Sequence, residues 1–257
     1  MKGVIIVPST ETTEWVQEVL PGTSPVELPI AGKRYIDYAI EFAEKRGFEM
    51  VEVLDWNFSE KLADELADLT RVSIPVFYQK GVGERPQGVE DLAKQSSPLT
   101  PALGENISVV WGLQLADLQI KGIADWHHAN MEILCNEQKY RELFTLPGYS
   151  TEGGVYRGSN VIIEQDCEVK PPVLILDNAW CSRHARLDGF CIVGNESIIS
   201  EYVHLERTVI GDNTFVGLAL DLVDKMVFGK RVIDAKTETW TDIEEPGVVR
   251  KLVNGFI

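Results

Sequence analysis

Between about Arg157 and Gly217 the hydrophobic positions recur every six residues. Ile163, Val169, Ile175, Cys181, Leu187, Val193, Ile199 and Leu205 stand six apart and are all apolar. Four residues after each comes a compact side chain: Cys167, Val173, Ala179, Ala185, Cys191, Ser197, Val203 and Val209. The positions between are turn formers or polar, as in Gln165-Asp166, Asp177-Asn178, Gly194-Asn195-Glu196 and Gly211-Asp212-Asn213. Neither a 3.6-residue period nor strict alternation fits, which excludes an amphipathic helix and an ordinary meander. The pattern predicts a parallel β-helix: short strands with a corner every six residues, a bulky aliphatic pointing inward and a small residue filling the narrow interior beside it. The register slips once, because Leu205 to Ile210 is five residues. A corner near Arg207 is the expected place for the slip.

The N-terminal half carries a different pattern. Val4–Val7 is a wholly apolar run suited to a buried parallel strand. A polar loop, Ser9–Thr13, is expected after Pro8, then a short helix around Glu14–Leu20. Helical spacing of Tyr35, Tyr38, Ala39, Phe42 and Ala43 predicts a helix over Tyr35–Arg46, with Gly47 past its end. Further strands are predicted at Met50–Leu54, Ile74–Tyr78 and Ile107–Trp111, and helices at Ser59–Leu69, capped by Ser59, and Glu90–Gln95. This alternation implies an α/β layer with a parallel sheet. A linking helix is expected over Ile123–Leu143, with Pro147-Gly148 and Gly153-Gly154 punctuating the entry to the coil. Beyond Gly217 the six-residue spacing stops, and a last strand pair is expected to cover the open end of the coil. The expected organisation is an α/β domain over residues 1–122, a linker over 123–150, the coil over 151–217 and a capping segment over 218–257.

The stretches "IIEQDCEVKPPVLILDNA" and "CIVGNESIISEYVHLERTVIGDNTFVG" resemble the left-handed β-helix of hexapeptide-repeat proteins, in which three hexapeptides make one triangular coil. The opening "MKGVIIV…SPVELPIAGKRYIDYAIEFAEKRGFEMVEVL" resembles a sugar nucleotidyltransferase (nucleotide-sugar pyrophosphorylase), and "ENISVVWGLQLADL" resembles a later strand of those enzymes that ends in Gly-Asp. Several of them carry a C-terminal left-handed β-helix. The resemblance implies a short Rossmann-like parallel-sheet domain followed by a left-handed parallel β-helix. It also exposes departures. The family's Gly-x-Gly-Thr-Arg loop, whose amides cradle phosphates, is replaced by Pro8-Ser9-Thr10-Glu11-Thr12. Glu27 stands where a lysine is expected, Leu113 where the metal-binding aspartate is expected, and about 100 residues of sugar-binding lobe are missing. The implied protein is nucleotidyltransferase-like with its transfer chemistry gone. It would bind a sugar nucleotide or sugar phosphate, or assemble with enzymes of sugar-nucleotide or polysaccharide precursor synthesis. Two alternatives remain: a hexapeptide acyltransferase acting on a sugar or sugar nucleotide, and a purely structural trimerisation protein.

Charge narrows the partners. The 257 residues include 24 basic and 40 acidic side chains, a net charge of −16, which argues against nucleic acid and anionic membranes. With no targeting or spanning segment expected, a cytoplasmic protein follows. The four cysteines have no metal-ligand spacing, so neither a metal nor a cofactor is expected. Ser9 and Thr10 at the altered loop, and Lys33 and Arg34 at a helix start, are the candidate ligand contacts. His184, at a corner, and His204, before an inward leucine, are the candidate general bases of the acyltransferase alternative. The adjacent His127 and His128 point about 100° apart on a helix and suit no single site. Asp221, Asp224 and Asp234 are expected as turn and surface carboxylates. Phe190 and Tyr202, twelve residues apart, are read as outward-facing aromatics, with Trp180 and Phe215 near corners. Together they suggest a homotrimer.

Overall fold

The computed structural model describes residues 2–69, 72–94, 99, 106–150 and 153–252. The chain divides into two units, one comprising Met1–Leu28, Arg34–Gly122 and Glu142–Phe144, the other Pro29–Lys33, Ile123–Arg141 and Thr145–Ile257. No helix among the described residues is long and apolar enough to cross a membrane.

The first unit is built on four parallel strands, β1 (Gly3–Val7), β2 (Met50–Asp55), β3 (Val76–Lys80) and β4 (Ile107–Trp111), in the order β3-β2-β1-β4. Every residue of β1 and β2 is buried, as their apolar runs require when both faces are covered. The strand order reverses between β1 and β4, so the crevice beyond their carboxyl ends is the topological switch point. Helix α1 covers Thr10–Val19, starting inside the segment read as a loop. The reason is a cap: Ser9 Oγ accepts from the Thr12 amide at 3.1 Å, which recruits the polar Thr-Glu-Thr-Thr run into the first turn. Helices α2 (Tyr35–Lys45) and α3 (Glu60–Ala67) fall close to expectation, and Ser59 caps α3 through the Leu62 amide. The third strand begins two residues later than expected. Helix α4 spans Val89–Leu92; Gln95, the expected end, lies outside the described residues.

The second unit is a parallel β-helix with three faces. The first face stacks Val155–Arg157, Val173–Ile175, Cys191–Val193, Val209–Ile210 and Lys225–Phe228. The second stacks Ile162–Ile163, Trp180–Cys181, Ile198–Ile199 and Thr214–Val216. The third stacks Glu168–Lys170, Arg186–Asp188, His204–Glu206 and Asp221–Val223. Partners are eighteen residues apart in the early coils, as in Val173↔Cys191, and seventeen after the slip, as in Ile192↔Val209 and His204↔Asp221. The slip falls at the expected corner, and a second five-residue side, Leu222 to Val227, follows at the Asp224 corner, because Val209↔Met226 are also seventeen apart. Corners turn through single residues in the left-handed conformation: Asn178, His184, Glu196, Arg207 and Asn213 have φ between 45° and 58°. All eight residues of the six-residue column except Ile163 and Val169 are fully buried. Cys167, Cys181 and Cys191 join the same interior. The expected start of the coil, residue 151, and the last five residues lie outside the described residues.

Each face meets its surroundings differently. The outward column of the first face, Leu174, Ile192, Val209 and Met226, is at most 3% exposed. Val209, expected among the small inward residues, faces outward because the five-residue side at Arg207 shifts it by one, and Thr208 is buried in its place. Helix α5 (Ile123–Cys135) lies on this side: Trp126 stacks on the outward Phe228 at 5.2 Å, and His127 Nε2 is 2.7 Å from the Arg207 carbonyl oxygen. The expected linking helix stops at Cys135, and a separate turn of helix runs over Glu137–Tyr140. The second face presents Ile162, Trp180, Ile198 and Phe215 outward in one register column, with Trp180 40% exposed and Ile162 49%. Phe190 and Tyr202, read as outward aromatics, are corner residues with φ of 53° and 60°. The third face carries charge.

The C-terminal cap is larger than a strand pair. Arg231–Asp234 and Thr239–Asp242 extend the first face as an antiparallel meander, and Val249–Lys251 returns antiparallel to Thr214–Val216. Asp224, expected at the surface, is 5% exposed. It receives Arg207 Nε at 2.5 Å and Nη2 at 2.9 Å, with Lys236 Nζ at 2.6 Å. Arg207 holds its carboxyl far below the usual range. Asp234 pairs with Lys225 across the meander, which lowers its pKa to about 2. A depressed folded pKa gives stability that is complete above the unfolded value of about 4 and is lost as pH falls toward 2. Thermal unfolding of the wild type should therefore weaken between pH 4 and 2. Asp234→Asn should lower the midpoint at pH 7 and flatten that decline; superimposable pH profiles would show that the pair contributes nothing.

Candidate functional site

The carboxyl edge of the parallel sheet gathers the polar groups of the first unit. At the switch point, Gly112 donates its amide to the Val7 carbonyl at 2.8 Å and holds φ +73°. A Cβ on Gly112 would stand 3.5 Å from Thr12 Oγ1 and 3.8 Å from Ser9 Oγ, and those two hydroxyls are 2.7 Å apart. Ser9 is half-buried and Thr10 exposed. Helix geometry leaves the first amides of α1, those of Thr10 and Glu11, without a partner inside the helix. The arrangement offers hydroxyl and amide donors to an anionic or hydroxyl-rich ligand, with the Glu11 carboxylate as the opposing charge.

Asp55, at the end of β2, is fully buried. It accepts from Ser24 Oγ, from Tyr78 OH at 3.0 Å and from the Asn57 amide at 2.8 Å, while Tyr78 OH accepts from the Ser59 amide at 3.0 Å. Burial, and then the Asp55 charge, push the Tyr78 phenol above its ordinary pKa. An acid at the end of the second strand of such a sheet commonly meets a ribose hydroxyl. Here its oxygens are taken, so Asp55 fastens the Ser24 loop to the sheet. Glu27, at the position expected to hold lysine, closes a capping box by accepting from the Ser24 amide at 3.1 Å. Leu113 is buried at 3% exposure. Arg34 is gripped by Asp37, through Nε and Nη2 at 2.9 Å each, and by Glu65 at 2.5 Å from Nη1, so its charge is already met. Lys33 falls in the second unit.

The two coil histidines have different settings. His184 is exposed at a corner, its ring stacked on Tyr202 with centroids 5.0 Å apart. His204 bridges two carboxylates on the third face: Nδ1 is 2.9 Å from Asp221 Oδ1 and Nε2 is 3.1 Å from Asp188 Oδ2. Lys170 Nζ, 2.9 Å from Asp188 Oδ1, and Arg186 Nη2, 2.5 Å from Oδ2, hold Asp188 below the usual carboxylate range. A general base needs a free lone pair facing its substrate; with a carboxylate on each nitrogen, this ring is placed as a bridge. Sequence reasoning missed Asp188 and read Asp221 only as a turn or surface carboxylate, although counting one coil from His204 reaches Asp221 directly. It also missed Tyr78 and Ser24, which only the fold brings to Asp55.

No protein-family model matches the chain. A UTP–glucose-1-phosphate uridylyltransferase from Synechocystis sp. is 28% identical over 196 residues, covering 73% of this chain and 48% of that protein. The chain thus spans about half the length of the curated relative it matches. Among solved structures, the acetyltransferase domain of PglB from Neisseria gonorrhoeae FA1090 is 12% identical with a TM-score of 0.20, covering 88% of this chain and 97% of that one. A point mutant of perosamine N-acetyltransferase from Caulobacter crescentus, in complex with CoA and GDP-perosamine, is 14% identical with a TM-score of 0.22, covering 89% and 94%. Scores this low leave the fold to rest on the hydrogen-bond register described above. The likeness to sugar nucleotidyltransferases carried by the N-terminal motifs is found again in the uridylyltransferase, in a chain that joins a parallel α/β sheet to a parallel β-helix.

Proposed function

We propose that this chain is a nucleotidyltransferase-like protein that binds a sugar nucleotide at the carboxyl edge of its parallel sheet, with Ser9 and Thr10 among the contacts, and does not transfer a nucleotidyl group. The observation that carries the reading is the 28% identity with a uridylyltransferase in a chain whose phosphate loop, lysine and metal-binding aspartate are replaced by a capped helix start, a capping-box glutamate and a buried leucine. Binding without chemistry suits a regulatory or assembly role beside enzymes that make sugar nucleotides or polysaccharide precursors. Calorimetric titration with UDP-glucose and other nucleotide sugars should show saturable binding. Incubation with nucleoside triphosphates, Mg²⁺ and sugar 1-phosphates should release no pyrophosphate. Turnover in that assay would overturn the inactive reading, and silence across the sugar-nucleotide panel would overturn the binding reading.

The second reading is an acyltransferase acting on a sugar or sugar nucleotide, in which His204 would have to release one of its two carboxylates, Asp188 or Asp221, to act as the base. It expects acetyl-CoA to raise the melting midpoint of the wild type and not of His204→Ala. Either reading includes a homotrimer packed through the second face, whose Ile162, Trp180, Ile198 and Phe215 column supplies the apolar contact. The charge of −16 per chain opposes assembly, but salt screens repulsion beyond about 8 Å at physiological strength while apolar contact persists. Light scattering at moderate salt should give three times 28.7 kDa, falling at low ionic strength, and Trp180→Lys should give the single-chain mass. A single-chain mass for the wild type at every salt concentration would sink the trimer.

A further inference from the structure

Among the described residues of the first unit, an arginine side chain has no hydrogen-bond or ion-pair partner. Arg85 follows β3 in a loop drawn tightly around Trp56, the residue after β2. The guanidinium carbon lies 5.4 Å from the centroid of the Trp56 ring. Trp56 Nε1 donates to the Gly83 carbonyl at 2.9 Å, and the Gly81 amide donates to the Asp55 carbonyl at 3.0 Å. The loop passes so close that a Cβ on Gly81 would come within 2.2 Å of the indole. Trp56 and the loop therefore fix each other, and Arg85 is seated on the product. Its Nε is buried and has no hydrogen-bond partner. Among the described residues no hydrogen bond or ion pair engages the guanidinium, in contrast with Arg34, Arg207 and Arg231, each of which is forked onto a carboxylate.

A buried donor left unpaired is costly, and a guanidinium more so, because it carries charge in every state a protein allows. The Trp56 ring seats the guanidinium and leaves its N–H groups without an acceptor among the described residues. Such a group fits the paired oxygens of phosphate or carboxylate. Burial lowers the affinity of Arg85 for its proton, and the fixed charges nearby, Asp55 and Glu14 on α1, only partly offset it. Asp55 is already held by Ser24, Tyr78 and Asn57. The seat is at the carboxyl end of the sheet, where open α/β sheets take their ligands, on the edge that also carries Ser9, Thr12 and Gly112.

Taking the sugar-nucleotide reading as its basis, we infer that Arg85, braced on Trp56, is the cation that receives the diphosphate of the bound ligand. It stands in a loop that the N-terminal motifs do not include, and replaces cationic help that Glu27 and the Pro8–Thr12 segment cannot give. The test uses the full chain and three probes: UDP-glucose, inorganic pyrophosphate and uridine. Arg85→Gln should weaken UDP-glucose and pyrophosphate by about tenfold or more, the loss of a charged bidentate contact, and leave uridine unchanged. Arg85→Lys, a point charge without the fork, should fall between. Should Arg85→Gln fail to fold, phenylglyoxal labelling of the wild type read by mass spectrometry replaces it: pyrophosphate should protect Arg85. If the wild type binds UDP-glucose and Arg85→Gln binds it equally, or if pyrophosphate gives no protection, the inference falls and the sugar-nucleotide reading stands. If pyrophosphate binds in an Arg85-dependent way and no sugar nucleotide does, the anion seat stands and that reading falls. No binding of any phosphorylated probe overturns both.

Discussion

Gly194→Ala is expected to destabilise the second unit by about 3 kcal/mol or more, with a cooperative unfolding midpoint well below the wild type's. Gly194 ends a first-face strand where the next coil crosses directly over it. A Cβ there would stand 2.5 Å from the Gly211 carbonyl carbon, 2.6 Å from the Asp212 amide nitrogen and 2.7 Å from Asp212 Oδ1. Two of those three atoms are backbone and cannot swing aside. The clash can be relieved only by prising the coils apart, and that breaks the stack at the corner, where Asp212 Oδ1 accepts the Asn195 amide at 2.7 Å and Asn195 Oδ1 accepts the Asp177 amide at 3.1 Å. Asp212→Ala, which removes the Asn195–Asp212 hydrogen bond without adding bulk, should cost only about 1 kcal/mol. Chemical denaturation of the pair separates the causes. Equal losses would mean that the corner ladder, and not the close approach, sets the tolerance of this site.

Leu187→Ala is the second large effect, about 2–5 kcal/mol. Leu187 is fully buried, and its register neighbours Val169 and Leu205 stack below and above it. The interior has no second layer able to collapse into the gap, because each coil contributes one such residue per face and the backbone spacing is fixed by the ladders at about 4.8 Å. A cavity there stays open. Leu187→Met, similar in volume, should cost less than about 1.5 kcal/mol. A loss for Leu187→Ala no larger than for Leu187→Met would show that the coil relaxes along its axis.

These residues also show what a reader of the sequence is able to see. Inward positions of a narrow coil must be filled at a fixed spacing, so Leu187 and its column announce the fold directly. Outward positions answer to whatever covers them, and that is tertiary. Still, a trace was present: Val173–Ile175 and Cys191–Val193 are apolar at every position, whereas Arg186–Asp188 and His204–Glu206 alternate. A strand apolar on both sides is covered on both sides, and α5 is the cover. The start of α1 was hidden for another reason, because its three threonines have weak helix preference until Ser9 caps the first turn. Arg34 looked free in sequence because Glu65, its second partner, lies thirty-one residues away. The Arg85 seat left no mark at all: an arginine between Glu84 and Pro86 in a glycine-containing stretch reads as a solvated loop until Trp56 is seen beneath it.

The change from eighteen to seventeen residues per coil has an evolutionary corollary. Where successive coils are in register, removing eighteen residues from one corner to the equivalent corner above takes out a storey and leaves both ends as they were. Removing six instead rotates everything beyond by a third of a turn, carrying the apolar column onto another side and leaving α5 facing charge. Length variation in such a chain is thus quantised, with whole coils as the tolerated step. At Arg207 one side of the coil is built from five residues instead of six. The bidentate grip on Asp224, one coil above, holds that corner closed and lets the coils beyond it keep their phase.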